Sequence, residues 1–232
     1  MKGAIPIYLS GSRNDYGIIG PIARDAFSAE SLQQLIEQHP LVDDSSKRIK
    51  LAVLTNSTYD GLCYNTDMIK SQLHDSVDVL HFDEAWFGYA AFHPFYHGRH
   101  GMSEPAEAPR TKHALVFATQ SPHKVLAALS QASIILAKNS AEQQLDHERF
   151  NEAYMMHTST SPHYGMIASI DVATGMMAGP AGRSLVQETL DEALSFRRAM
   201  QQTAEQMAEE EWWFDVWEPE ASLAQPELHA TD

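Results

Sequence analysis

Two side chains that could take part in catalysis lie at or just after the ends of apolar segments of this sequence. Asp83 closes VDVLHFD, residues 77–83, and Lys124 lies in ATQSPHKVLAALSQAS, residues 118–133, between a Ser-Pro-His turn and an apolar run that predicts a helix. A lysine amine can bond covalently to an aldehyde, and a carboxylate can keep a pyridine nitrogen protonated so that the ring accepts electrons. This pair of residue types at strand ends therefore predicts a site for pyridoxal phosphate.

Alternating strands and helices must position these two residues. The apolar patterns predict strands at 4–9, 49–55, 77–83, 114–120 and 133–138, and helices at 28–39 and 65–75. Ser28 is the expected N-cap of the first helix, and either Asn65 or Thr66 that of the second. Strand and helix alternating at this spacing imply parallel pairing through right-handed crossovers. The expected fold class is α/β, with a mostly parallel sheet flanked by helices.

The segments after three of these strands are expected to face one crevice, because ligands bind beyond the carboxyl ends of parallel strands. They read TNSTYDG, FDEAW and TQSPHK, and they begin at residues 55, 82 and 119. Together they offer an acid, a lysine, a histidine and several hydroxyls that suit a phosphate. Glu84 adjoins Asp83, and residue type alone leaves open which acid faces a ring.

The second half of the chain is predicted to be mostly helical, beginning near Asp146. Its last helix runs from 184 to about 210, with Ser184 and Gln187 as a capping box. A strand or edge segment is expected at 212–219, followed by a disordered tail at 220–232. At 232 residues the chain is long enough for one α/β domain or two small ones, and residues 1–219 are expected to form one.

Composition narrows the classes of partner. A net charge of -15 argues against nucleic acid and anionic membranes, which need clustered Lys and Arg. One cysteine excludes an internal disulfide and fits a reducing compartment, and the N-terminus resembles neither a signal peptide nor a membrane span, so a cytoplasmic location is expected. His93, His97 and His100 lack a helical context and carboxylate partners, so no metal site is expected.

The segment around Lys124 and three further segments resemble one family. The pattern T-x-S-x-H-K, followed by x-x-A-A-x-S-Q-A-S, resembles the cofactor-attachment signature of the bacterial ornithine, lysine and arginine decarboxylases. The segments TNSTYDGLCYN, LHFDEAWFGYAAFHPFY and FNEAYMMHTSTSPHYG are similar to the same family in the same order, and the resemblance spans residues 6–219. It implies a pyridoxal-phosphate enzyme of fold type I, with part of an aspartate-aminotransferase-like large domain.

The resemblance assigns roles to individual residues. Lys124 would attach the cofactor, Asp83 would pair with the pyridine nitrogen, and Ala85 would pack on the ring. Trp86 would line the site, with Ser121 and His123 at the phosphate side and either Asn56 or Thr58 near the ring edge. In a dimer, Ser159, Thr160 or Ser161 would reach the phosphate bound by the neighbouring subunit.

The implied reaction is decarboxylation of a basic amino acid, with lysine favoured over arginine and ornithine and with Lys124 or His123 returning a proton to Cα. Family members carry an upstream phosphate-binding loop, a ring-stacking histidine and a downstream small domain, none of which is recognisable here. We therefore expect the chain alone to be inactive. The alternative is a non-catalytic remnant or one piece of a split enzyme, and an aminotransferase of the same fold is a more distant one.

Overall fold

The computed structural model describes residues 4–44, 48–104, 113–207 and 216. The chain divides into two compact units, residues 1–174 and 175–232. Every residue predicted to belong to the site lies in the first unit.

A four-stranded sheet of order β3-β4-β5-β6 organises the first unit. Its strands are β3 (Ile49–Thr55), β4 (Val77–Asp83), β5 (Leu115–Gln120) and β6 (Ile134–Lys138). The first three strands pair in parallel, whereas β6 runs antiparallel to β5. The predicted α/β class with a mostly parallel, helix-flanked sheet is confirmed.

The antiparallel β6 corrects the expectation of parallel pairing throughout, and the connection before it gives the reason. A parallel crossover usually contains a full helix that packs on the sheet. Here α3 (Pro122–Val125) is only four residues long. The helical run predicted for the following residues is wrong, because Leu126 is already extended and Gln131 has a φ of 70°.

The first two long helices of the unit begin where side-chain caps are available. In α1 (Ala29–Gln38) the Ser31 N–H donates to Ser28 Oγ, as the sequence predicted. In α2 (Thr66–Leu73) the Met68 N–H donates to Asn65 Oδ1, so Asn65 is the cap. Of the two caps considered for α2, Asn65 and Thr66, the structure selects the first.

The predicted strand at 4–9 is wrong, because described residues 4–10 carry no regular structure. A short hairpin follows instead, formed by β1 (Gly11–Arg13) and β2 (Ile19–Ile22). Its turn depends on Asn14, whose side-chain oxygen accepts from the Ile18 N–H at 2.9 Å, and on Gly17 with a φ of +78°.

The two faces of the sheet differ in burial. On one face Leu80, Phe82 and Val116 are at most 1% exposed and pack with residues of α2. The opposite face carries Val53, which is 58% exposed, and Phe117, which stacks on a ring of α4 (His147–His157) at 6.0 Å. Since side chains alternate along a strand, Asp83 belongs to this second, more open face.

Two further helices follow, α5 (Tyr164–Met177) and α6 (Pro180–Gln206). The predicted capping box of Ser184 and Gln187 is wrong, because α6 already begins at Pro180, a residue suited to the first helical position. Both side chains instead bond one turn ahead, within the helix. The predicted strand at 212–219, apart from Val216, and the predicted tail at 220–232 lie outside the described residues.

None of the helices in the described part of the chain is both long and apolar enough to cross a membrane.

Candidate active site at the carboxyl ends of the parallel strands

Strand register brings the predicted loops to one edge of the sheet. Thr55 pairs with Asp83, and Asp83 pairs with Thr119 across the next strand. Asp83 therefore lies between Thr55, the last residue of β3, and Thr119, near the end of β5. Lys124 follows Thr119 by five residues, through the one-turn helix α3.

The structure distinguishes the two adjacent acids. Asp83 is half-buried, and one of its oxygens accepts from the Ala85 N–H at 3.3 Å. Among described residues, that is its single hydrogen-bonded partner through the side chain. A carboxylate with unused acceptor capacity at the open end of a strand can bind a protonated ring nitrogen.

Glu84 has the opposite environment. It is 0% exposed, and its carboxylate accepts from the Gly101 N–H, from Gln120 Nε2 at 3.0 Å and from Asn56 Nδ2 at 3.3 Å. Burial raises the pKa of Glu84, while these hydrogen bonds act in the opposite direction. Because Glu84 is fully buried and already accepts from three internal donors, Asp83 is the better placed of the two acids to meet a ligand.

Lys124 presents its amine beside an aromatic face. The side chain is exposed, and Nζ lies 4.9 Å from the centroid of the Trp86 ring. Trp86 in turn meets the Tyr59 ring edge-on at 5.6 Å. In the described part of the chain Lys124 forms no salt bridge, so its amine is accessible to an aldehyde.

His123 is oriented by a single hydrogen bond. Its Nδ1 lies 2.6 Å from the carbonyl oxygen of Ala132, which can only accept, so Nδ1 carries the hydrogen. In the neutral ring Nε2 therefore holds the lone pair available for proton transfer. Ser121 precedes α3, and its half-buried hydroxyl makes no capping hydrogen bond to that helix.

The structure does not join Thr160 and Ser161 to the other predicted site residues. They lie on the exposed loop between α4 and α5, where Ser161 N–H donates to Ser159 Oγ at 3.1 Å. No described hydrogen bond or ion pair links this loop to Asp83 or Lys124. Their assignment to a neighbouring subunit stays a prediction.

Sequence reasoning missed His81, which lies on the same sheet face as Asp83 because it precedes that residue by two positions. Its Nε2 is 3.1 Å from Thr119 Oγ1. Burial lowers the pKa of His81, and the nearby Asp83 charge opposes this shift without reversing it. The period-two alternation in LHFD was the signal that could have identified it.

Two residues considered for the ring edge have other contacts. Asn56 is 0% exposed, and its side chain donates to the Arg99 carbonyl at 2.8 Å and accepts from the Tyr64 N–H at 3.0 Å. Thr58 Oγ1 accepts from the Leu62 N–H at 3.0 Å and so closes a turn. Asn56 is thus part of the support beneath the loops and does not face a ligand.

The long segment after β4 is tied to α2 by a charged cluster. Lys70 is 5% exposed, and its Nζ donates to the Ser103 carbonyl at 2.7 Å and to Asp67 at 3.0 Å. Ser103 Oγ donates to the same Asp67 carboxylate at 2.7 Å. We call Asp67, Lys70 and Ser103 the α2 clamp, since they fix the returning end of the segment that carries Trp86.

His93, in the same segment, also has a structural role. His93 is 7% exposed, and its Nδ1 accepts from the Phe95 N–H at the start of a short 3-10 turn. Within the described ranges, no group of three or more His, Cys, Asp or Glu side chains could hold a metal ion.

The donor set at this edge fits a phosphorylated pyridine aldehyde. Lys124 offers an accessible amine, Asp83 an acceptor for a protonated ring nitrogen, and Ser121 a hydroxyl without an internal partner at α3. Fold and site thus define an α/β protein with a lysine and a carboxylate at the ends of adjacent parallel strands.

Comparison with known proteins identifies the family. The family model described as Orn/Lys/Arg decarboxylase, major domain, matches residues 1–229, and the chain belongs to this family. Lysine decarboxylase LdcA from Pseudomonas aeruginosa is 59% identical over 95% of the chain, and the biodegradative arginine decarboxylase of Escherichia coli is 45% identical over 95%.

A solved structure agrees with the sequence comparison. Lysine decarboxylase A from Pseudomonas aeruginosa superposes with a TM-score of 0.81 over 94% of this chain. The chain spans about 29% of the length of these relatives.

Proposed function

We propose that this chain contributes the cofactor-attachment part of a pyridoxal-phosphate-dependent decarboxylase that acts on lysine. The observation that carries the proposal is the accessible Lys124 amine beside Trp86, next to a strand end where Asp83 keeps unused acceptor capacity. The 59% identity to a lysine decarboxylase supports lysine as the substrate. Arginine, with a relative at 45% identity, and ornithine are the alternatives.

Each site residue would have a distinct task. When bound, pyridoxal phosphate withdraws electrons from the bond between Cα and the carboxylate of an amino acid. Lys124 would hold the cofactor through its amine, and Asp83 would hold the proton on the ring nitrogen. His123, through Nε2, or the Lys124 amine would supply the proton to Cα.

Further contacts are proposed for the cofactor's phosphate and ring. Ala85 would pack on the ring, Trp86 would line the cleft, and Ser121 would donate its hydroxyl to the phosphate. Thr160 and Ser161, on an exposed loop, would contact the phosphate bound by a second subunit. A homodimer or larger oligomer of the complete enzyme is therefore part of the proposal.

The second candidate is a chain that folds and takes up cofactor without turning over substrate by itself. The observation in its favour is that the chain spans about 29% of the length of its relatives. The relatives' activity belongs to chains more than three times as long. We infer that the 232 residues attach the cofactor but do not complete a substrate site.

The test uses the purified 232-residue chain with added pyridoxal phosphate. Visible absorbance should report attachment, and Lys124→Ala should abolish it. Carbon dioxide release is then assayed with lysine, arginine and ornithine separately. We expect attachment without turnover; release near ~1 s⁻¹, at the low end of ordinary enzymes, would instead establish the chain as a complete decarboxylase and identify its substrate.

A further inference from the structure

The buried acid next to Asp83 links all three parallel strand ends. Of the donors to the Glu84 carboxylate, Asn56 immediately follows β3 and Gln120 is the last residue of β5. The third donor, the Gly101 N–H, belongs to the segment that follows β4. Asn56, Glu84, Gln120 and Gly101 are called the strand-end brace below.

The main chain of Glu84 adds to the same connection. Its N–H donates to the Thr119 carbonyl at 2.8 Å, and the Asn56 N–H donates to the Asp83 carbonyl at 2.8 Å. Side-chain and main-chain bonds therefore hold β3 and β5 on either side of the 83–84 peptide. A carboxylate at 0% exposure with three N–H donors leaves those donors unsatisfied when it is removed.

Residues of the proposed site flank the brace on both sides. Trp86 follows Glu84 by two residues, and Lys124 follows Gln120 by four. The contact between Lys124 Nζ and the Trp86 ring therefore joins two segments. One carries the Glu84 carboxylate, and the other begins at Gln120, which donates to that carboxylate.

We propose that Glu84 is a positioning residue that aligns Asp83, Trp86 and the Lys124 turn through the strand-end brace, without itself contacting the cofactor; this rests on the proposed function. Its role is geometric. Glutamine can reproduce the arrangement, because its oxygen accepts from Asn56 and Gly101 while its amide donates to a flipped Gln120 amide. Alanine cannot.

The experiment compares Glu84→Ala, Glu84→Gln and the exposed control Glu188→Ala on α6. The first readout is the dissociation constant for pyridoxal phosphate, set beside the melting temperature of each variant. Glu84→Ala should weaken binding by about tenfold or more, as expected for unsatisfied buried donors. Glu84→Gln should remain within about threefold of the parent chain, and Glu188→Ala should match it.

A second readout, amide hydrogen exchange, does not depend on the cofactor. In Glu84→Ala, exchange at residues 85–87 and 119–124 should accelerate by about tenfold or more. Exchange at Leu80, in the core of β4, should change less. If the parent chain attaches no cofactor, the proposed function fails, while the exchange pattern still decides the role of Glu84.

Three results would overturn the proposal. Glu84→Ala could bind cofactor as tightly as the parent chain, exchange could rise equally across the whole sheet, or Glu84→Gln could lose as much as Glu84→Ala. The last result would assign the effect to the charge. If Glu84→Ala does not fold, Gln120→Ala removes one donor, and faster exchange must then be confined to 119–124 for the proposal to stand.

Discussion

The edge of the sheet holds two regions with opposite use of polar groups. Asp83 and Lys124 are half-buried or exposed and have few partners among the described residues. Glu84 and Asn56, only one residue along the chain from strand ends, are 0% exposed and hydrogen-bonded within the protein. The residues proposed to bind the cofactor keep unused hydrogen-bonding capacity, whereas those proposed to position them use most of theirs inside the protein.

Changes in the buried region should therefore reduce stability, and changes in the open region should alter cofactor chemistry at nearly constant stability.

The α2 clamp should show the largest effect. Lys70→Ala leaves the Asp67 carboxylate and the Ser103 carbonyl without their buried ammonium, so the free energy of unfolding should fall by about 3 kcal/mol. The control is Lys50→Ala, whose ion pair with Asp78 is shorter, at 2.6 Å, but whose side chain is 82% exposed. It should cost less than about 0.5 kcal/mol in denaturant unfolding. Equal losses would show that burial does not decide the strength of these pairs.

Asp83→Asn should separate chemistry from stability. The variant keeps the shape of the side chain and should change the free energy of unfolding by less than about 0.5 kcal/mol. The attached cofactor should lose its ring-nitrogen proton, which ¹⁵N NMR of labelled cofactor detects. In an active enzyme containing this segment, turnover should fall at least about 100-fold. Asp60→Asn, at an exposed position in the loop after β3, is the control; a ring nitrogen still protonated in Asp83→Asn would assign its proton to another group.

The folded segment around His100 should make stability depend on pH. Burial, reinforced by the Lys70 charge, lowers the pKa of His100 from 6.5 to about 4, and Asp67 opposes this shift. Between these values the unfolded chain binds a proton that the folded chain does not, so the free energy of unfolding falls as the pH drops from 6.5 to 4. After allowance for solvent screening, the loss attributable to His100 is on the order of 1–2 kcal/mol.

Denaturant unfolding at several pH values measures this dependence. His100→Gln should flatten the curve over that interval, whereas His147→Gln, at an exposed position on α4, should leave it unchanged. An unaltered slope in His100→Gln would refute the assignment.

Trp86 should give the smallest effect. Trp86→Leu removes an aromatic face from the proposed cleft, and one aromatic contact is worth about 0.5–1 kcal/mol, so cofactor attachment should weaken about two- to fivefold. Trp86→Phe retains an aromatic face and should lie between Trp86→Leu and the parent chain. Dissociation constants from visible absorbance measure both, and a stronger loss in Trp86→Phe than in Trp86→Leu would contradict a role for the aromatic face.

The sequence predicted the strands of the sheet better than their connections. Local sequence patterns predicted the bounds of β3 (Ile49–Thr55) and β4 (Val77–Asp83) as the structure has them, because a strand's apolar residues are recognisable within a short window of sequence. The direction of β6 was not predictable in the same way. It depends on whether the residues after Val125 form a crossover helix, and they form bends and turns instead.

The candidate site was likewise predictable from the sequence only in part. The positions of Asp83 and Lys124 followed from strand ends, since parallel pairing brings such ends together. The distinction between Asp83 and Glu84 did not follow, because it depends on donors from Asn56, Gln120 and Gly101 that are distant in sequence. Contacts across the sheet edge are a property of tertiary packing, and residue type alone does not report them.

The most direct measurement is borohydride reduction of the 232-residue chain with bound pyridoxal phosphate, followed by peptide mapping. The account predicts one labelled residue, Lys124, and no label on Lys138, whose Nζ is held by the Met102 carbonyl at 2.6 Å and by Glu104 at 3.1 Å. Labelling of Lys138 or Lys112 with Lys124 unmodified would contradict the assignment of the attachment site.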